Sequence, residues 1–425
     1  EVIVAQTEIP KIDHIASAPV KENVGTTSYE RVVYCSVCNV ELSRESVAVC
    51  TGTVTLWGTA VTIDDETTTD IPDALYWADA AAGEDGVVPA PQAVTAEDAW
   101  NYSYTIVEGV PTVTIQNANY AYAARFLYVA SSFAYDLEVV YKGENTISLP
   151  NATSKQFIYY ASNSAKSETL TIIGEEGAVL TVNGGHKDYN YIEMKHVDLF
   201  FKGGTFNLTK TRGTPTRGVL LNGYGGLTIE DCNFNVTNKP SSSNYATYPA
   251  VNAEAITIRN ANVTIDTTHK IALAAGVYIV SGAKIDLPGT ITIEGDSNVK
   301  ITEKQNSKFA EHAFKGAVYG KQLIVKGGTL EVTGAVNAIT LTGAEAPQLE
   351  GFYNMYTAAD GDVVNEYAAT AYFKAAPCDH SAVEGVEGVI KAPTCTEPGL
   401  KGITYTCAYG HTWGGEAEIE IPATG

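Results

Sequence analysis

With 425 residues the chain can hold two or three domains or one long repeat array, and its abundance of Gly, Thr, Val, Ile, Ala, Asn and Tyr points to an all-β protein with many turns. A formal net charge of -22, with no Lys or Arg cluster, leaves no basic face for phosphate contacts; direct nucleic-acid binding is not expected, and an anionic partner would need a bridging cation. No apolar run reaches the length of a membrane span, and the opening Glu1-Val2-Ile3-Val4 lacks the basic region, apolar core and cleavage site of a signal peptide, so the chain reads as a segment of a longer exported protein.

Residues 1–50 form a first small unit. Within it Cys35-Ser36-Val37-Cys38 has the two-residue spacing that lets two thiolates share a tetrahedral Zn²⁺, with His14 and Cys50 as the nearest further ligands. A disulfide and inert thiols are the competing readings. The seven cysteines are too few and too unevenly placed for a disulfide scaffold, and their odd number leaves at least one outside any internal pairing. Residues 51–100 show a Thr-rich stretch around Thr51–Thr69, then Asp70–Ala82 with some helical character, and then a Gly/Pro-containing link. They read as a cap on the strands that begin near residue 101, because an open stack of strands exposes unpaired backbone.

From residue 101 to 345 a repeat dominates. Five ten-residue stretches align without a gap: Leu199–Leu208, Leu227–Val236, Ile256–Ile265, Tyr278–Leu287 and Leu323–Val332. Positions one, three, eight and ten are apolar, which gives strand, corner, strand with alternate side chains turned inward. Position five is Gly203, Asp231, Asn260, Gly282 or Gly327, residue types that tolerate a left-handed corner, and position six is always small. Cys232 holds one of those small positions and reads as packing. Looser units occur at Leu137–Leu149, Leu170–Val182 and Ile291–Ile301.

Most units begin roughly 22 to 33 residues apart, and most intervals hold a third short apolar strand, as at Phe157–Ala161, Tyr191–Met194, Val219–Leu221, Ile271–Ala274 and Ala338–Leu341. Three strands per turn predict a right-handed single-stranded parallel β-helix, since one unit cannot bury its inner row alone but a stack can. Segments such as "DLEVVYKGENTI", "LFFKGGTFNL" and "LIVKGGTLEV" resemble the pectate-lyase-like β-helix superfamily, especially its carbohydrate-binding, adhesin-like members. That resemblance implies a bacterial extracellular protein and leaves enzymes, binders and pure adhesins open.

Residues 346–376 read as a connector and 377–425 as a second small β-rich module. In the latter, Cys378, His380, Cys395, Cys407 and His411 offer a ligand set, from which Cys395, Cys407 and His411 are taken as zinc candidates beside Cys35 and Cys38. The segments Tyr29–Glu45 and Lys391–Gly425 resemble short repeats of large surface proteins of gut-dwelling Gram-positive bacteria, although Gly410 stands where those repeats carry a second cysteine, with His411 beside it. The resemblance implies secretion and a modular, wall-associated parent, with the carboxy-terminal end at Gly425 read as a domain boundary.

Catalytic chemistry on such a coil needs clustered carboxylates, either on Ca²⁺ or converging on one glycosidic bond, and no repeated Asp pair marks that arrangement. Glu230, Arg259, Lys202 and Lys326 share position four and predict an outward ladder of charges. No catalytic residue is assigned. The 25 tyrosines are the more telling excess; most are expected inside, while Tyr189, Asn244, Tyr245 and Tyr248, in loops beside Lys187 and Asp188, are the candidates for glycan contact. The expectation is a monomeric, extracellular, non-catalytic binder of polysaccharide or glycoprotein glycans, with Ca²⁺ or Zn²⁺ as candidate ions. A polysaccharide lyase or hydrolase and a structural spacer are the alternatives.

Overall fold

The computed structural model describes residues 20–423 except 24–27, 49–50, 65–73, 85–86, 134, 150–155, 162–167, 185–188, 211–217, 240–248, 269–270, 281–282, 287–288, 305–315, 379, 381–384, 408, 410 and 416–418. The described residues are all-β, and three long sheets dominate, of 12, 10 and 10 strands. Chain order visits the sheets in rotation. A strand such as Leu199–Phe201, within Asp198–Lys202, joins the first sheet, Thr205–Lys210 the second and Leu220–Asn222 the third, before Leu227–Glu230 returns to the first. Within each sheet the core strands are parallel and in register, as in Leu199↔Leu227↔Ile256↔Ile291↔Leu323. The result is a β-helix-like stack of coils.

The alternating pattern explains the core. Positions one and three of the repeats line the inside of the first sheet and positions eight and ten the inside of the second. Leu227, Ile229, Phe234, Val236, Ile256, Ile258, Val263 and Ile265 are all at most 1% exposed. Short strands of the third sheet, among them Ile192–Met194, Leu220–Asn222, Val251–Ala253 and Leu273–Ala275, close the triangle. Burial of each large aliphatic chain contributes about 1.5–3 kcal/mol, and the sum over successive coils offsets the entropy of ordering the backbone.

The corner between the first and second sheets is tight, with one to four residues between strands. Its left-handed turn falls at Gly203, Asp231 and Asn260, with φ of 63°, 51° and 48°. The small residue after it is forced by packing: a Cβ at Gly204 would lie 2.5 Å from the Tyr141 hydroxyl and 2.9 Å from the Ala178 carbonyl. Cys232 occupies this position, 5% exposed, and burial raises its thiol to about 12, so it packs and stays protonated. Connections from the second to the third sheet are longer and irregular, with 3 to 12 residues between strands.

One repeat corrects the sequence reading. Tyr278–Leu287 does not supply a coil: Val277–Val280 and Ala283–Asp286 pair with each other, antiparallel, in a two-stranded sheet of their own. The coil passes directly from Ile256–Arg259 to Thr290–Glu294 and from Asn262–Thr267 to Asn298–Glu303, so the looser Ile291–Ile301 unit supplies that turn. Period two is common to antiparallel pairs and coil strands, so alternation alone does not separate them.

Antiparallel pieces cover the ends. Thr51–Leu56 pairs with Leu127–Val129 and with Thr59–Asp64, extending the third sheet, while Leu75–Ala78, a strand where the sequence suggests helical character, and Tyr102–Val107 extend the first. Trp57, Trp77, Tyr102 and Phe126 pack together beneath them, with ring centroids 5.1–6.3 Å apart. At the other end Tyr372–Pro377 pairs antiparallel with Thr329–Thr333 and with Tyr353–Tyr356. The flanking units are separate sheets: Val20–Glu22, Ser28–Tyr34 and Glu41–Ala48 at one end, and Gly385–Lys391, Gly399–Thr406, Thr412–Gly414 and Ile419–Ile421 at the other.

Candidate functional site

Tyrosines divide by the side of the strand on which they fall. Tyr102, Tyr120, Tyr141, Tyr160 and Tyr191 point inward and are at most 1% exposed. Tyr128 and Tyr159 are the outward members of Leu127–Val129 and Ile158–Tyr160, paired in register on adjacent coils of the third sheet. Their rings stack with centroids 5.8 Å apart and planes 10° from parallel. The next coil puts Glu193 in the same row, since Tyr159 pairs with Glu193.

Arg125 completes this surface. Its guanidinium carbon lies 4.7 Å from the Tyr159 ring centroid and 5.3 Å from that of Tyr128. Arg125 Nε donates to Gln156 Oε1 at 3.0 Å, Gln156 Nε2 donates to Glu193 Oε2 at 3.2 Å, and Asn190 Nδ2 donates to the same oxygen at 3.1 Å. Gln156 and Asn190 are each 2% exposed, so two buried amides fix a half-exposed cation and a half-exposed carboxylate beside the two rings. Partial burial lowers the Arg125 pKa, and the charges of Tyr159, Tyr128, Glu193 and Tyr189 oppose that shift. Tyr189, a candidate from the sequence, therefore belongs to this neighbourhood; its carbonyl accepts from the buried Lys210 Nζ at 2.6 Å.

Asn244, Tyr245 and Tyr248, the other sequence candidates, lie outside the described residues, as do Lys187, Asp188, His14 and Cys50. Tyr128 and Tyr159 stand in dense tyrosine groups of the sequence but, like Arg125 and Glu193, are not among its candidates for glycan contact. A signal was present: Phe126-Leu127-Tyr128-Val129-Ala130 and Phe157-Ile158-Tyr159-Tyr160-Ala161 place a tyrosine at the same step of successive third strands.

The charge ladder read from position four forms on the outer face of the first sheet. Glu230 sits between Lys202 at 3.3 Å and Arg259 at 2.9 Å, and Arg259 also reaches Glu294 at 2.7 Å. Lys326 pairs instead with Glu350 at 3.8 Å.

A second constellation lies where the terminal module meets the end of the stack. Cys378, His380, Cys407 and His411 each bring one ligand atom to within 4.8 Å of the other three. Cys395, grouped with Cys407 and His411 from the sequence, is placed apart: it is exposed in the turn before Gly399–Thr406, at the far end of that strand from Cys407. Cys35 and Cys38 belong to a turn in which the Asn39 amide donates to the Cys35 carbonyl at 2.9 Å; Cys35 is buried and Cys38 exposed. Among the described residues no third metal-ligating side chain joins them.

No helix among the described residues is long and apolar enough to cross a membrane. No family model, curated protein or solved structure matches the chain.

Proposed function

We propose that this chain is an extracellular, wall-associated module that binds glycans on the third-sheet face of a right-handed parallel β-helix. One observation carries the reading: Tyr128 and Tyr159 stack in register on the outer face, with Arg125 against both rings. Such rings offer apolar surface to the C–H side of a sugar and hydroxyls to its rim. Arg125 and Glu193 add charge-assisted hydrogen bonding next to them, held by Gln156 and Asn190. Tyr128, Tyr159 and Glu193 are mounted on strands, and Arg125, just before one, is held by a buried amide; such side chains lose little freedom on binding, which favours affinity.

The right-handed coil follows from the handedness of parallel strand connections, about 98% of which turn that way. The surface-repeat words at Tyr29–Glu45 and Lys391–Gly425 support an extracellular setting, and the antiparallel pieces at both ends of the stack support a monomer.

The test is incubation of the chain with a panel of plant and host polysaccharides, with and without Ca²⁺, scoring protein retention and new sugar ends in the same tubes. The expected result is retention without cleavage, lost in Tyr128→Ala and Tyr159→Ala. New sugar ends would replace the binder with a lyase or hydrolase, and silence across the panel would leave a spacer.

A further inference from the structure

We propose that Cys378, His380, Cys407 and His411 form a structural zinc site that pins the terminal module to the end of the coil stack. This inference is independent of what the third-sheet face binds.

The ligand types and their separations agree with one another. The two sulfurs are 3.6 Å apart, whereas a disulfide would bring them to about 2.05 Å. Two thiolates sharing a tetrahedral Zn²⁺ at about 2.3 Å from each would lie roughly 3.8 Å apart. The imidazoles supply the other half. Nε2 of His380 and Nδ1 of His411 are buried and have no hydrogen-bond partner among the described residues, an arrangement that a metal would satisfy. With all four ligand atoms within 4.8 Å of one another, small side-chain rotations suffice to close a tetrahedron.

Ion identity follows from softness. Two sulfurs and two imidazole nitrogens select Zn²⁺ over Ca²⁺, which takes six to eight oxygens. Four protein ligands leave no position for water or substrate, so the site is structural. Two thiolates also neutralise the ion, and aromatic rings wall the site. Trp413 stacks on His380 with centroids 4.0 Å apart and planes 12° from parallel, and Phe352 lies 4.9 Å from His380 and 5.4 Å from His411.

Location gives the ion its task. Cys378 follows Tyr372–Pro377, which pairs with the last coil strand of the second sheet, and its amide donates to the Phe352 carbonyl at 2.9 Å. Cys407 follows Gly399–Thr406 of the terminal module, and its amide donates to the His411 carbonyl at 2.9 Å, closing the turn into Thr412–Gly414. Metal ligation thus joins the closing strand of the stack to the core strand of the module.

The test uses the full chain, purified under reducing conditions, stripped with chelator and titrated with Co²⁺ and then Zn²⁺. The expected signature is visible absorption of tetrahedral thiolate-bound Co²⁺, bleached by one equivalent of Zn²⁺. Cys378→Ser and His411→Ala should each lower bound zinc by one equivalent per chain, while Cys395→Ser leaves it unchanged; this difference separates the site from any metal held by Cys35 and Cys38. In the unaltered chain, chelator should speed proteolytic cleavage between residues 379 and 398 several-fold. Two results would overturn the proposal: the octahedral spectrum of oxygen-bound Co²⁺, or a Cys378–Cys407 disulfide, found by mass spectrometry, in protein that retains no zinc.

Discussion

Tyr159 stacks on Tyr128 from one coil to the next, with ring planes 10° from parallel, and both rings lie on the outside of a sheet whose neighbouring side chains point in. Outward aromatic pairs contribute to sheet stability by roughly 0.2–1 kcal/mol, so loss of one ring should cost the fold little. Tyr159→Ala is accordingly expected to shift the urea midpoint little while abolishing retention on the responsive polysaccharide. Equal losses in stability and binding would make the pair a packing device.

Arg125→Lys separates charge from shape at the same place. Lysine keeps the positive charge but lacks the planar guanidinium that lies over both rings and donates to Gln156. Retention should fall about tenfold, as expected for loss of about 1.4 kcal/mol of binding. Full retention in Arg125→Lys would show that long-range charge alone matters there.

The ladder on the first sheet makes a pH prediction. Burial works to raise the pKa of Glu230, but hydrogen bonds from Arg259 and Lys202 and their charges prevail and hold it below its ordinary 4.5. A carboxylate whose folded pKa is lowered stabilises the fold above its unfolded pKa and loses that contribution as pH falls through the folded value. Glu230→Gln should cost under about 1 kcal/mol at neutral pH, and the two proteins should converge in strongly acidic buffer. A gap of equal size in urea unfolding at both pH values would sink the electrostatic account.

Two glycines of one corner distinguish crowding from backbone conformation. A Cβ at Gly174 would meet the Tyr141 ring at 2.3 Å, whereas Gly177, with φ of 74°, has open space around it. Gly174→Ala should cost roughly 1–3 kcal/mol through overpacking. Gly177→Ala should cost about 1 kcal/mol through its left-handed backbone alone. Chemical denaturation of the two variants measures both, and the reverse order would contradict this packing.

Trp57 tests the end of the stack. It touches Trp77, Tyr102 and Phe126, and its removal leaves a cavity worth about 3–5 kcal/mol beneath the covering hairpin. Because coils contact chiefly their neighbours, Trp57→Ala should split unfolding into two transitions, the earlier one confined by hydrogen exchange to residues before about Leu137. A single transition at lower denaturant would mean that the cap and coils unfold as one unit.

The inner rows were legible because period-two alternation records which side of a strand meets the core, and a short corner, of one to four residues between strands, leads into the same alternation in the next sheet. Leu227, Ile229, Phe234 and Val236 needed nothing else. Third-sheet strands such as Val251–Ala253 and Gly316–Gly320 escaped notice because three or five residues of small or fully buried type show no alternation. Lys210, Asn238, Thr267 and Glu303 were equally hidden: they form one buried row across four coils, in register, where the pattern reads as ordinary polar strand ends. In the terminal module, spacing could not choose among five ligand-type residues. Cys378 joins Cys407, and Cys395 does not, only because strand Gly399–Thr406 carries the chain from one edge of the module to the other.

The irregular connections between the second and third sheets concentrate variation in length along one flank of the coil. Lengthening such a connection costs only about 0.6 kcal/mol per doubling, while the corner opposite holds only one to four residues between its strands. That flank is therefore the natural attachment point for grafted peptides or reporter domains, because new sequence added there leaves the register of the paired coil strands unchanged.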